Sequence, residues 1–400
     1  MRRAVIVVID GFGIGATPDA GPADLGMNTL AHVADAVDLR LPVLASLGLG
    51  RLVPDAVEPV QEPRAAYGRL TPVHIGADTY MGHQELMGGG LSRVEFRLME
   101  ELGDDVAAAL RSAGHTVEPL VVGQSMLLVD GAVVVHDNIE ARARLNVNVT
   151  ASLDDIDFDA LTEIGLIVRR AINVSRVIVV GSRGYDVDSI RSHIVHRGDG
   201  HIGVDTPSLG VYNEHYQVRH LGLDLPIERQ LPMRVKDQGG DVVLLGKAAD
   251  VVRCEGATLE NIVPTDGVFD AAVRHLDGLS RGLIVANVQE SDLAGHEQDA
   301  ARYARVLATV DARLQELLDR LGPDDLLVIT ADHGNDPTSG SSRHTREYVP
   351  VLVLGQQLRP VDLGIRSSLA DVGATVAELL GTEPLDSGTS FAREILCSSM

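Results

Sequence analysis

The stretch Thr330-Ala331-Asp332-His333-Gly334-Asn335-Asp336-Pro337 sets a carboxylate and an imidazole side by side, directly behind the apolar run Asp325–Thr330. A second imidazole, His344, follows in the next connection. Asp10 ends the run Ala4–Ile9, and Asp292-Leu293-Ala294-Gly295-His296 comes shortly after Leu283–Val288. Three carboxylates and three imidazoles therefore lie behind apolar runs, where open parallel sheets gather their ligands. Mixed oxygen and nitrogen donors suit Mn²⁺ or Zn²⁺ better than Ca²⁺ or a thiolate site. Six donors are more than one catalytic ion with an open position takes, so two ions are expected. Each group also has an ordinary reading: Asp-His-Gly-Asn as a polar turn, Asp10 as a cap, Asp-x-x-x-His as surface. Their joint placement favours the metal.

A hydroxyl supplies the next component. Thr79 lies in His74-Ile75-Gly76-Ala77-Asp78-Thr79-Tyr80-Met81-Gly82-His83, ahead of Gly88–Gly90. It reads either as a helix N-cap or as a nucleophile whose proton a divalent ion would help to remove before attack on phosphorus. In the second reading helix amides receive the phosphoryl oxygens, and Gly76, Gly82 and Gly88–Gly90 let the backbone approach closely.

These groups need a scaffold that brings strand ends together. The runs at 4–9, 242–245, 283–288, 326–329 and 351–354 are rich in β-branched residues and almost wholly apolar, the pattern of strands buried on both faces. Helical periodicity fills 28–36, 299–321 and 369–381, the last with Gly381 just past its end. The alternation predicts an α/β fold with a doubly wound, mostly parallel sheet. Between about 95 and 221 short strands (133–135, 147–149, 177–180) and the helix 160–172 indicate a smaller inserted α/β domain. That leaves 1–94 with 222–400 as the catalytic core. The stretch Arg191–Asn213 is rich in His, Gly and Asp and has little periodicity.

Four hundred residues with 45% apolar content support a large core. A net charge of −23 argues against nucleic acid or an anionic membrane as partner. It also means an anionic substrate would need local positive charge, such as bound metal. Two cysteines, Cys254 and Cys397, cannot build a disulfide framework. No run approaches membrane-spanning length, so a soluble, cytoplasmic protein is expected.

Taken in order, the motifs resemble the alkaline phosphatase superfamily and, within it, the phosphopentomutase family. The resemblance covers about 4–94 and 240–395. It rests on Val8-Ile9-Asp10-Gly11-Phe12-Gly13-Ile14-Gly15, Asp24-Leu25-Gly26-Met27-Asn28-Thr29-Leu30, Asp78-Thr79 with Gly82-His83, and Leu245-Gly246-Lys247. Thr330–Pro337, His344–Pro350, Ala370–Ala377 and Gly388–Phe391 complete it. The resemblance implies one Mn²⁺ held by Asp10, Thr79, Asp332 and His333, and another by Asp292, His296 and His344, with Zn²⁺ or Mg²⁺ as other candidates. It also implies that Thr79 carries the phosphoryl group, that Lys247 lies near the substrate phosphate, and that the group moves between the 1- and 5-positions of a pentose phosphate. The insertion would close over the site and exclude water. Two features depart from the family. The Asp292-to-His296 spacing is that of the related cofactor-independent phosphoglycerate mutases. The family's arginine- and asparagine-rich substrate segment has no clear counterpart between Arg183 and Asn213. Asp137, in Asp137-Asn138-Ile139-Glu140, is the candidate substrate contact, with a solvated turn as its alternative. A metal-dependent phosphohydrolase, a mutase of another small phosphate ester and a phosphometabolite sensor are the competing functions.

Overall fold

The computed structural model describes residues 1–89, 94–139, 144–197, 200–222 and 226–397; Gly90 and Glu140 of the motifs above lie outside them. Two compact units emerge, Met1–Leu91 with Leu225–Met400, and Ser92–Asp224.

The larger unit is built on one eight-stranded sheet. Its strands are β1 (Arg3–Ile9), β2 (Ala66–Leu70), β3 (Asp241–Leu245), β4 (Thr258–Glu260), β5 (Gly282–Val288), β6 (Asp325–Thr330), β7 (Val349–Leu354) and β8 (Asp362–Arg366). Their order across the sheet is β4-β3-β5-β1-β6-β7-β2-β8. The five strands from β4 to β6 run parallel. β7 is antiparallel to both neighbours, and β8 pairs parallel to β2. The sheet is thus mostly parallel, as the apolar runs predict.

Ala4–Ile9 is wholly buried, which requires cover on both faces of the sheet. The helices supplying or flanking that cover include α1 (Thr29–Ala36), α2 (Thr79–Leu86), α3 (Thr265–Gly278), α4 (Glu290–His296), α5 (Ala300–Arg320) and α6 (Ala370–Leu380). α5 packs on α1, α3 and α4, whereas α6 packs on α2 and on the helix Leu231–Asp237. Starts and stops follow local chemistry. Asn28 accepts from the Ala31 amide at the start of α1, and Gly381 ends α6 in the left-handed region at φ 72°. β2, β4 and β8 escape an apolar-run reading because they are short and lie at or near the sheet's margins, where one face or the strand edge meets solvent. β2, for instance, alternates buried and half-buried residues.

The second unit has its own six-stranded sheet. From one edge to the other it runs Gln217–Gly222, Arg176–Ser182, Asn146–Ser152, Val133–Asp137, Leu127–Val129 and Val117–Pro119. The helices Met99–Ser112 and Phe158–Ala171 bury its apolar face with Val133, Val135, Val147, Val149 and Val179. The opposite face of strand Asn146–Ser152 carries Asn146, Asn148, Thr150 and Ser152, all buried. Within the weakly periodic stretch 191–213, Ile194–His196 and Ile202–Val204 pair as an antiparallel ribbon. Among the described residues no helix is long and apolar enough to cross a membrane.

α5 depends on Asp299, whose carboxylate accepts from the Arg302 amide at 2.8 Å. Asp299→Ala is expected to lower unfolding free energy by about 1 kcal/mol in urea melts.

Candidate metal centre and nucleophile

All six sequence-selected metal donors, Thr79 and Lys247 belong to the larger unit, and the parallel strands explain how they meet. Asp10 follows β1, Lys247 follows β3, Asp292 lies on α4 after β5, and Asp332 and His333 follow β6. Because β3, β5, β1 and β6 are successive neighbours, their carboxyl ends form one edge. Thr79 arrives separately, as the first residue of α2.

Two groups of donors converge. Ligand atoms of Asp10, Asp332 and His333 lie within 4.8 Å of one another, and so do those of Asp292, His333 and His344. His296 Nε2 joins the second group, 3.3 Å from Asp292 Oδ2 and 3.2 Å from His344 Nε2. His333 stands between the groups: its Nε2 is 3.3 Å from Asp332 Oδ2 and 3.5 Å from Asp10 Oδ1, while its ring stacks on His344 at 3.8 Å. The first group is buried, whereas His296 in the second is 39% exposed, so the second opens to solvent.

Thr79 does not cap its helix. Asp78 does, accepting from the Met81 amide at 3.0 Å. That frees the Thr79 hydroxyl, whose Oγ1 lies 2.7 Å from His333 Nε2 and 3.0 Å from Lys247 Nζ. Lys247 Nζ also reaches Asp10 Oδ2 at 2.9 Å and Asp292 Oδ2 at 3.1 Å, touching one carboxylate of each group.

The fit of these residues to metal rests on three features. Asp10 Oδ1 and Asp332 Oδ2 are buried and have no hydrogen-bond partner, an expense that a coordinated cation removes. The other oxygen of each is occupied: Asp332 Oδ1 accepts from the Gly11 amide at 3.3 Å, and Asp10 Oδ2 from Asn287 Nδ2 at 3.1 Å. Each imidazole is also anchored through Nδ1 to a backbone carbonyl, His333 to Gly334, His344 to Ala77 and His296 to Ser342. A proton on Nδ1 would leave each Nε2 with a lone pair for a bound cation.

Electrostatics agree. Burial pushes the Asp10 carboxyl up to about 7, and the charge of Asp332 adds to the shift. Burial would raise Asp332 too, but His333 and His83 beside it hold it below the usual carboxylate range. Two adjacent buried carboxylates thus oppose each other's ionisation, and Asp10 is the one that yields. Burial pushes His333 down to about 3, which leaves it a neutral donor. Burial also opposes the charge on Lys247, yet Asp10, Asp292 and Asp332 together hold it protonated.

Several supporting residues are absent from the list of sequence candidates. Glu347, fully buried, accepts from the Thr29 amide, Thr29 Oγ1, the Gly15 amide and Thr345 Oγ1, tying the Asp10 loop to α1 and the His344 loop. The Arg346 guanidinium donates to the carbonyls of Pro72, His74 and Gly76 and so holds the loop leading to Thr79. His83 and Asn287 lie against Asp332 and Asp10. Asn287 did leave a signal: it is a lone amide in the otherwise apolar β5. Asp137 belongs to the other unit. It is buried, not a solvated turn, and its oxygens accept from the Met99 and Ile202 amides.

α2 approaches β6 closely at Gly82, where a Cβ would stand 2.6 Å from Asp332 O. Gly82→Ala should therefore push Thr79 away from Asp332. A loss of about 1–3 kcal/mol in urea melts is expected.

The profile of the Metalloenzyme superfamily matches residues 208–384. Phosphopentomutase of Symbiobacterium thermophilum is 37% identical over 99% of both chains. That of Anaeromyxobacter dehalogenans is 36% identical, covering 98% of this chain and 99% of its own. Phosphoglycerate mutase of Leishmania mexicana shares the fold at a TM-score of 0.51, with 16% identity over 97% of both chains. On its full-length identity to these relatives, the chain belongs to the phosphopentomutase family of metalloenzymes.

Proposed function

We propose that the protein is a phosphopentomutase that moves a phosphoryl group between the 1- and 5-positions of a pentose phosphate through phospho-Thr79. The observation that carries this reading is the position of Thr79 Oγ1, within 2.7 Å of His333 Nε2 and 3.0 Å of Lys247 Nζ, where the two donor groups meet. In this reading Asp10, Thr79, Asp332 and His333 hold one divalent ion, and Asp292, His296 and His344 hold the other. Mn²⁺ suits the mixed donors, with Zn²⁺ and Mg²⁺ as alternatives. Such ions, when bound, neutralise phosphoryl oxygens and make a threonine hydroxyl easier to deprotonate.

The chain's own part is positioning and charge. Phospho-Thr79 donates to the free hydroxyl of the sugar monophosphate: the bond from phosphorus to Thr79 Oγ1 breaks, the bond to the sugar oxygen forms, and the hydroxyl proton is transferred to Thr79 Oγ1. The resulting bisphosphate reorients, and its other phosphoryl group returns to Thr79. Lys247 supplies fixed positive charge beside Oγ1 throughout. Water must be kept from phospho-Thr79. Asp137, whose oxygens accept from the Met99 and Ile202 amides, orders the inserted unit in this reading. The two unpaired cysteines fit a reducing cytoplasm.

Incubation with a pentose bisphosphate carrying labelled phosphorus should leave label on Thr79, and Thr79→Ala should reduce turnover to background. An unlabelled Thr79 in metal-loaded enzyme would sink the mechanism, and free phosphate released as fast as substrate disappears would make the protein a hydrolase. The Asp10 value near 7 gives a second check. Below that pH an incoming ion must displace a proton. Apparent Mn²⁺ affinity should therefore climb by up to about tenfold per unit as pH rises toward 7 and level off above it, as followed by calorimetry.

A further inference from the structure

We infer that His83 and Asn287 are linked positioning residues that aim the two unpartnered carboxylate oxygens, Asp10 Oδ1 and Asp332 Oδ2, at the first ion position. The inference rests on the two-ion reading above and goes beyond its ligand set.

His83 is fully buried on α2, one turn beyond Thr79. Its Nδ1 donates to Thr79 O at 2.9 Å and lies 3.4 Å from Asp332 Oδ2. With a proton on Nδ1, Nε2 is left as an acceptor, and it accepts from Asn287 Nδ2 at 3.1 Å. The same amide nitrogen donates its second proton to Asp10 Oδ2, also at 3.1 Å. A continuous hydrogen-bonded chain therefore runs from the Thr79 carbonyl through His83 and Asn287 to Asp10, with Asp332 Oδ2 against His83 at 3.4 Å.

The orientation of the amide is not free. Turning it over would set Asn287 Oδ1 against Asp10 Oδ2, two acceptors in contact. As placed, Oδ1 is buried without a partner. An unmet buried acceptor is a defect that an ordinary core position sheds, because an apolar residue of the same shape would avoid it. Here the nitrogen has two partners that no apolar residue could serve. One is Asp10, whose remaining oxygen is orphaned; the other is His83, whose Nδ1 stands 3.4 Å from the orphaned Asp332 Oδ2. The link therefore fixes the rotation of Asp10 and holds His83 against Asp332 and the Thr79 carbonyl.

Two variants isolate the link. His83→Asn can keep a donor near Nδ1 for Thr79 O but cannot reach Asn287. Asn287→Leu keeps the shape and removes both donors. Mn²⁺ alone is titrated calorimetrically into metal-free wild type, each variant and the double variant, with the melting temperature of each metal-free protein recorded in parallel. Each single variant should bind Mn²⁺ ten- to a hundredfold more weakly at one site and normally at the other. Because both act through one link, the double variant should bind no more weakly than the worse single. Dissociation constants equal to wild type, with only the metal-free melting temperature lowered, would reduce the pair to core packing and overturn the inference. Losses that simply add in the double variant would do the same. If Asn287→Leu does not fold, His83→Asn decides by the same titration. Wild type that takes up no ion would instead remove the two-ion reading itself, and this link with it.

Discussion

Two carboxylates, Asp10 and Asp332, are buried next to each other at the ends of adjacent parallel strands, and much of the larger unit serves to make that arrangement tolerable. Isolated ionised carboxylates in a low-dielectric interior are very costly, and a like-charged neighbour adds to the cost. The fold answers with three kinds of compensation. The Lys247 ammonium lies within 2.9 Å of Asp10. The Asp10 carboxyl is raised to about 7, so it takes up a proton more readily than an exposed carboxylate. Hydrogen bonds to Asp10 Oδ2 and Asp332 Oδ1 leave one oxygen of each without a partner. That residual deficit is what a divalent cation is suited to fill.

The same arrangement explains why the surroundings are so heavily cross-braced. Glu347 gathers donors from three chain segments, and Arg346 collects three carbonyls of the 72–76 loop. Glu85 accepts from the Val73 amide and Ser368 Oγ and lies 2.7 Å from His74 Nδ1. Burial opposes the Glu85 charge, but His74 beside it and these donors hold its pKa below the ordinary value. Loops rather than strands carry Asp10, His333 and His344, and loops are rigid only if their backbone polar groups are answered. A donor displaced by an ångström no longer shares an ion with its partners, so this bracing belongs to the site as much as to the fold.

The sheet was legible because parallel strands buried on both faces leave an unmistakable record of continuous β-branched runs, and β1, β3, β5, β6 and β7 all carry it. The donors were legible because Asp and His behind such runs have few structural reasons to recur together. β2 and β8 were not, since near the margin of a sheet two of five residues in β2 and four of five in β8 are less than buried, and the pattern weakens. The ribbon 194–196 with 202–204 is only three residues a side, below the length at which periodicity can be read.

What the sequence by itself determined is therefore the strand and helix order, the donor types and their placement at strand ends, since these depend on residue character and spacing along the chain. Only the tertiary structure decided which donors share a point. His333 turns out to stand in both groups, and Thr79, more than 250 positions away along the chain, meets it at 2.7 Å. Tertiary structure also decided that Asp78, not Thr79, caps α2 and that Asp137 spends its oxygens on backbone amides. The same is true of His83, which touches Asp332 and Asn287 together. The reason is physical: hydrogen bonds and ion pairs across the sheet depend on strand order and helix packing, and local residue patterns carry no record of either.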